Sequence, residues 1–470
     1  MLYQSILNNI YSIIMAILGV FGAYYIVFYI MGIFQKKFPK TDKKLNYGIL
    51  ICARNEEKVI GNLIKSIRDN NYDQDKLKIY VMAHNCTDRT AYYAEQAGAT
   101  KVYSYTNDKE RTKGFALKKL IELLKEDELL LENDGYYVFD ADNVVSSNYF
   151  EKMNDAFVYY DKQRVISSFR NSKNFAENRI SACYGVHFAF ESRFLVGGRT
   201  VVGCSGNVQG TGFVMNTDLI KDGWNYLSIA EDCEFTADLL LKNQKVAFCN
   251  DAMFYDEQPI DIKTMWKQKE RWFKGTLIVF ATKFKQITKK IFSVKDKKNK
   301  ISTIDFLVKI VPYSLITFFV LSLYIVASFL EPIFNDVNAF NVLMRLIPMI
   351  LEMLLMFYMA NIITPIIVFI FERKRMPKMN LLHKLKVVFY YPIFKMYELA
   401  LAVEVFFNKN IGWQQIKHAN ETSIEDIKNG KVKISKKEAK VSVFTKVKNK
   451  ALNVETADLQ EDAVNIKNSH

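Results

Sequence analysis

None of the chain's six cysteines stands in a CxxC pair or in a Cys/His spacing that would hold a metal. Without such spacing, Cys52, Cys86, Cys183, Cys204, Cys233 and Cys249 read as reduced thiols facing a cytoplasm. No internal repeat is present, so a solenoid or propeller is not indicated. No cluster of charges sits inside the apolar runs and no inverted repeat is visible, which argues against a pure transporter. Charge is also missing from residues 9–34, IYSIIMAILGVFGAYYIVFYIMGIF after Asn9, a run longer than the roughly 20 residues needed to cross a bilayer. This run has no basic segment before it and no small-residue cleavage site, and the basic QKKFPKTDKK follows it, so it reads as a retained transmembrane helix. The positive-inside rule places residue 35 onward on the cytoplasmic side.

What the chain does have is an uneven distribution of apolar residues. Half of its 470 residues are hydrophobic, enough for a soluble domain of about 200–250 residues and several spans. The net charge of +14 comes from Lys and Arg beside the apolar runs and near the C-terminus. That placement suits anionic membrane lipid, and a nucleic-acid partner is not expected. Residues 306–330 and 342–371 form two further apolar runs, separated by EPIFNDVNAF and followed by the basic ERKRMPK. Residues 261–300 mix Trp, Phe, Lys and Arg at helical spacing and read as interfacial helices. The run 385–407 carries Lys395, Glu398 and Glu404, so it reads as interfacial or re-entrant rather than as a plain span. Residues 417–470 are polar and basic and read as a disordered cytoplasmic tail.

Between these segments, residues 45–260 alternate β-rich runs (NYGILICARN, KLKIYVMAHN, TKVYSY, YYVFDADN) with helical stretches. Such alternation predicts a parallel sheet covered on both faces, with ligands bound beyond the C-terminal strand ends. The polar clusters at Arg54–Glu57, His84–Asp88 and Asp140–Asp142 fall at those ends. Two carboxylates one residue apart after a hydrophobic strand, Asp140 and Asp142, can hold Mg²⁺ or Mn²⁺ against a diphosphate, although the tripeptide taken alone is as often a solvated loop. Glu231–Asp232 precede CEFTADLLLKN, where a helix dipole keeps carboxylates ionised and able to act as a base, or to cap the helix. Gln268, Arg271 and Trp272 share one helix face and suit phosphate oxygens and a sugar ring, unless they belong to an interfacial belt.

In order and spacing, these residues resemble the metal-dependent inverting glycosyltransferases of family 2, particularly the membrane-bound processive kind that includes cellulose, hyaluronan and chitin synthases. The resemblance covers residues 46–275 and implies an α/β GT-A domain, a Rossmann-like mixed sheet, on the cytoplasmic side of transmembrane and interfacial helices. By this likeness Ala53, Arg54, Glu56, His84, Lys113 and Asp140 bind the donor nucleotide, and Asp142 with Asp140 holds the metal. Asp232 becomes the catalytic base. Gly210, Thr211, Gly212, Glu231, Gln268, Arg271 and Trp272 serve the diphosphate and the acceptor. The chain departs from the family pattern at His84, commonly Asp, at Ala230 in place of Thr, and at Lys269.

The expectation is a multi-pass enzyme of the cell membrane. With Mg²⁺ or Mn²⁺ it would move a sugar from UDP-glucose or UDP-N-acetylglucosamine to the end of a growing β-linked polysaccharide. The alternatives are a non-processive transferase using a lipid-linked acceptor, and a non-catalytic subunit of an export complex. A second copy or an accessory export subunit would complete the scant set of spans.

Overall fold

The computed structural model describes residues 2–334, 337–408 and 418–429. An eight-stranded sheet has the order β3-β2-β1-β4-β7-β6-β8-β5. Its first half is parallel: β1 (Tyr47–Ala53) lies between β2 (Leu77–His84) and β4 (Gly135–Asp140), and β3 (Lys101–Tyr105) edges β2. The helices between these strands are α2 (Ile60–Arg68), α3 (Thr90–Gln96) and α4 (Lys113–Glu126). The second half is mixed. After β5 (Val144–Val145) and α5 (Tyr149–Tyr159), β6 (Arg164–Ser172) runs antiparallel to β7 (Phe213–Asn216), which is antiparallel to β4. Past α8 (Glu231–Leu241), β8 (Lys245–Asp256) pairs parallel with β6 and antiparallel with β5.

Strand residues alternate faces, and the alternation separates two cores. Ile49, Ile51, Tyr137 and Phe139 pack with Leu63, Ile64, Phe150 and Phe157 of α2 and α5. Leu50, Tyr136 and Val138 pack with Leu117, Leu120, Phe235 and Leu239 of α4 and α8. Each such side chain contributes about 1.5–3 kcal/mol of burial, so the strand ends that carry polar clusters are held on a rigid sheet.

The chain outside the sheet is helical. In chain order these helices are α1 (Leu2–Met31), α6 (Arg179–Phe190) with a π-helical turn Glu191–Gly197, α7 (Gly198–Val201), α9 (Ile262–Ser293), α10 (Lys297–Ile310), α11 (Tyr313–Phe334), α12 (Ala339–Phe371), α13 (Leu381–Phe407) and the short α14 (Ile424–Lys428). Among the described residues, Tyr313–Ile333 and Ala339–Phe371 are long and apolar enough to cross a membrane by length and composition.

Three boundaries differ from expectation. The expected run 306–330 is divided: Phe306 and Ile310 end α10 and pack on Ala237, Leu240 and Val279 of the α8–α9 layer. The break falls at Val311, held extended by the proline that follows it, so the apolar helix begins only at Tyr313. The charges of 385–407 are absorbed by α9: Lys269 donates to Glu398 (2.9 Å), and Trp266 Nε1 donates to Glu404 (2.6 Å). Finally, 418–429 of the expected tail packs against the domain, while 417 and 430–470 lie outside the described residues.

A buried bidentate pair locks α10 to the domain. Arg199 reaches Asp305 at 2.6 and 2.9 Å, Tyr24 Oη of α1 adds a bond at 2.8 Å, and the two charged side chains are only 4% and 5% exposed. Asp305→Ala leaves the Arg199 charge buried and unpaired, and should cost about 3–5 kcal/mol, read as a lowered thermal midpoint in detergent. An unchanged midpoint would remove the pair as the tie.

Candidate active site

The strand ends and three helices enclose a cavity of about 370 Å³. Its walls include Ala53, Arg54, Glu56, His84, Lys113, Asp140, Asp142, Gly210, Glu231, Asp232, Gln268, Arg271 and Trp272. Thirteen of the residues singled out from sequence therefore meet in one place. Thr211 and Gly212 do not line it. Thr211 stands behind, its hydroxyl accepting from the Asp140 amide (3.0 Å) and bonding Asn143, and Gly212 lies against the Phe254 ring. Both support the carboxylate strand end and are not in position to touch an acceptor.

At one end of the cavity the loops after β1 and β2 are sewn together. Asn55 and Asn85 turn the chain in the left-handed region (φ 55° and 53°), which asparagine tolerates. The Asn55 side chain accepts from the Thr87 amide (2.7 Å), and that of Asn85 accepts from the Asn107 amide (2.7 Å). The His84 ring stacks parallel to Tyr105 at 5.9 Å; burial and the Arg54 charge lower its pKa, so it is neutral at pH 7.

Lys113, at the start of α4, is held by Asp140 and by the Gly210 carbonyl (2.7 Å). It can reach that point because residue 114 is glycine: a Cβ there would stand 2.2 Å from the Tyr226 carbonyl oxygen. Burial works against the Lys113 charge, but Asp140 and Glu231 outweigh it and raise its pKa. Asp142 is buried, its oxygens accepting from the Asn143 amide group (3.0 Å) and the Glu257 backbone N–H (2.9 Å). Burial alone would protonate Asp142; the charges of His418 and Lys173 reverse this and lower its pKa.

The helix α8 starts without a side-chain cap, at Ala230, so the Glu231–Asp232 pair is free of the capping role and points into the cavity. Asp232 Oδ1 accepts its neighbour's amide, Cys233 N (2.8 Å). Burial first, then the Asp232 charge, push Glu231 up to about 7, and burial also raises Asp232. The helix α9 comes close because Gly275 faces Ala230: a Cβ at 275 would sit 2.4 Å from the Ala230 Cβ. That approach lets Arg271 donate to the Ile229 carbonyl (3.3 Å) beside the acidic pair. The Trp272 ring packs edge-on to Tyr184 (6.2 Å) and Phe188 (6.0 Å).

Gln268 Oε1, Glu56 Oε2 and both amide atoms of Gln209 are buried at this cavity with no hydrogen-bond partner among the described residues. Three of these four orphaned atoms are acceptor oxygens, so they suit a polar ligand that donates hydrogen bonds, through hydroxyl or N–H groups. Asp140 and Asp142 would be the oxygen donors to a divalent cation; Asp140 Oδ1 meets Lys113, and both Asp142 oxygens accept hydrogen bonds. No group of three or more His, Cys, Asp or Glu among the described residues could cage one, so its remaining ligands would come from the donor's phosphates and water, the arrangement Mg²⁺ favours.

Several site residues were not legible in the sequence. His418 Nδ1 stands 2.9 Å from Glu56 Oε1, and Glu257 Oε2 accepts the amides of Ala419 (2.9 Å) and Asn420 (2.8 Å). Burial opposes the His418 charge, yet Glu56 and Asp142 raise its pKa well above the usual range, so it is a cation here. Arg170 binds Asp256 (2.8 Å) beneath Asp142. The acidic Asp256–Glu257 step at a strand end was a usable signal; His418 had none.

Two family models match the chain: Glycosyl transferase family 2 over residues 48–206 and Glycosyl transferase family group 2 over 137–369. A probable glycosyltransferase, YdaM, of Bacillus subtilis (strain 168) is 26% identical over 275 residues, 55% of this chain and 63% of that one. A β-monoglucosyldiacylglycerol synthase of Synechocystis sp. is 27% identical over 234 residues, 48% of this chain and 47% of that one. The chain thus spans between about half and two thirds of these relatives' lengths. Among solved structures, the mannosyltransferase PcManGT of Pyrobaculum calidifontis, in complex with GDP-Man and Mn²⁺, covers 85% of this chain and all of its own at TM-score 0.52 and 12% identity, a likeness of fold. Fold and matches together define the class that the chain resembles, the glycosyltransferases. More particularly, residues 48–206 and 137–369 match models of glycosyltransferase family 2, on a mixed sheet like that of the GT-A fold.

The raised pKa of Glu231 has a consequence for stability. Its folded form binds the proton more tightly than the unfolded chain does, so its cost to folding is absent at low pH and appears as pH rises toward and past about 7. Glu231→Gln should therefore raise the thermal midpoint at pH 8 and change it little at pH 5. Equal shifts at both pH values would deny the buried charge.

Proposed function

We propose that this chain transfers a hexosyl group from a nucleotide-sugar, UDP-glucose or UDP-N-acetylglucosamine first, to an acceptor hydroxyl at the inner face of the cell membrane, with inversion at the anomeric carbon. The observation that carries this reading is the convergence of Asp140 and Asp142, Glu231 and Asp232, and Gln268, Arg271 and Trp272 on one cavity. The nucleotide lies toward Ala53, Arg54, Glu56 and His84. Lys113, Gln268 and Arg271 hold the diphosphate. Asp232 takes the proton of the acceptor hydroxyl as its oxygen attacks C1 from the face opposite the phosphate; the C1–O bond breaks, and its electrons leave with the diphosphate. Asp140 and Asp142 would hold a divalent cation, which would supply Lewis-acid neutralisation of that leaving group.

Trp272, packed edge-on in an aromatic corner of the cavity that also holds the acidic pair, supports an acceptor that presents a sugar ring, which fits the end of a growing β-linked polysaccharide. A second reading, a single addition to a lipid acceptor, is favoured by the relative named β-monoglucosyldiacylglycerol synthase. In either case α11 and α12 span the membrane, α1 and the N-terminal run anchor the domain, and the catalytic face is cytoplasmic.

Asp232→Asn should lower transfer by about 10²–10⁴-fold while nucleotide-sugar binding stays within twofold, measured by nucleoside diphosphate release and by equilibrium binding in detergent. Turnover at the wild-type rate would dismiss Asp232 as the base. Sizing the product of the wild-type reaction separates the acceptors: a long chain marks a polymerase, a single addition the lipid reading.

A further inference from the structure

Where the cavity reaches α10 it is bordered by three charged or titratable side chains that the transfer chemistry leaves unused. Lys309 Nζ lies 3.4 Å from Glu191 Oε1, and His187 Nε2 lies 3.9 Å from Glu191 Oε2; all three line the cavity. They come from two elements far apart in sequence, α10 on one side and the end of α6 on the other. Glu191 opens the π-helical turn Glu191–Gly197, an irregularity that is rare in helices and frequent at functional sites.

The position of the cluster matters as much as its composition. Lys309 stands four residues before Tyr313, where the first membrane-length stretch begins. The same end of the cavity is walled by Phe306, Phe188 and the Trp272 ring. Lys309 also lies close enough to Asp232 for its charge to lower that carboxyl's pKa. The cluster therefore lies between the proposed base and the edge of the membrane-length helix.

Its charge state narrows the ligand. Burial would raise Glu191, but Lys309 and then His187 outweigh it and hold the carboxyl down at about 2. Burial, followed by the Lys395 charge, lowers His187 to about 4. Near pH 7 the group is thus one carboxylate, one ammonium and one neutral imidazole. A phosphate headgroup would meet Glu191 at close range while the nearest ammonium is already committed to that carboxylate. A hydroxyl, by contrast, donates to the carboxylate and accepts from the ammonium at once.

We propose that His187, Glu191 and Lys309 form an acceptor subsite for the uncharged, hydroxyl-bearing headgroup of a membrane lipid, a glycerol or a hexose. The lipid's chains lie along α11, and the headgroup hydroxyl is delivered to Asp232. The proposal rests on the transfer reaction set out above and chooses between its two acceptors.

The test uses full-length protein in detergent with four acceptors: dioleoylglycerol, its monoglucoside, a polyprenyl phosphate and free cellobiose. Transfer to dioleoylglycerol or its monoglucoside in preference to the other two is expected. Preference for the polyprenyl phosphate or for cellobiose overturns the lipid-polyol assignment. Glu191→Gln and Lys309→Met should each raise the acceptor KM at least tenfold while the donor KM moves less than twofold, with Lys309→Arg restoring most of the loss. Unchanged acceptor KM in both variants, or donor KM rising in parallel, overturns the subsite, the second result marking a merely structural ion pair. Binding of radiolabelled monoglucosyl dioleoylglycerol needs no turnover and keeps the two claims apart. Binding that both variants weaken supports the subsite even if no donor is turned over, in which case the transfer reading falls alone.

Discussion

The closeness of α9 to the start of α8 is the constraint on which the rest of the molecule depends. It exists because Gly275 and Ala230 face each other with no room for another methyl group. That contact brings Gln268, Arg271 and Trp272 of α9 to the same cavity as Glu231 and Asp232 of α8. The pairing of two small residues at this helix crossing sets how closely the Gln268, Arg271 and Trp272 face approaches the acidic pair.

Around this junction the site is arranged as alternating charge. Lys113 stands against Asp140, Arg170 against Asp256, His418 against Glu56, and Lys309 against Glu191. Burial works to raise the carboxyls of Glu191, Asp142, Asp256 and Glu56; Lys309 reverses it at Glu191, and His418 and Lys173 reverse it at Asp142, whereas Asp256 and Glu56 stay raised beside their cations. Glu231 and Asp232 sit side by side and share the positive charge of Arg271 and Lys113, and burial raises both, which favours proton transfer at Asp232, the proposed base.

The helices outside the sheet show the same economy. Lys269, at a position where the family resemblance leads one to expect another residue type, is buried and donates to Glu398 of α13, and Trp266 donates to Glu404. Two of the α13 charges that look misplaced in an apolar run, Glu398 and Glu404, are therefore met by α9, while Lys395 pairs with Glu398 inside α13. On the far side, the segment around His418 closes over Glu56 and Glu257 and gives the donor end of the cavity a wall contributed from beyond the last long helix.

Much of this was present in the sequence. Strands at 47–53, 77–84, 101–105 and 135–140 follow from short β-rich apolar runs between helical stretches, three of them ending in polar clusters, and the acidic, glutamine, arginine and tryptophan residues of the cavity follow from short motifs in a fixed order. These features are legible because each is encoded within a few residues, in a side-chain period or at a strand end. The tertiary structure alone decided where the run 306–330 breaks into a packed end and an apolar helix, that Thr211 and Gly212 buttress the site instead of lining it, and that Glu191 meets Lys309. It alone brought His418 to Glu56, 362 positions away in the chain. Contacts of that span leave no local periodicity or spacing, because the energy that forms them comes from packing two distant surfaces together.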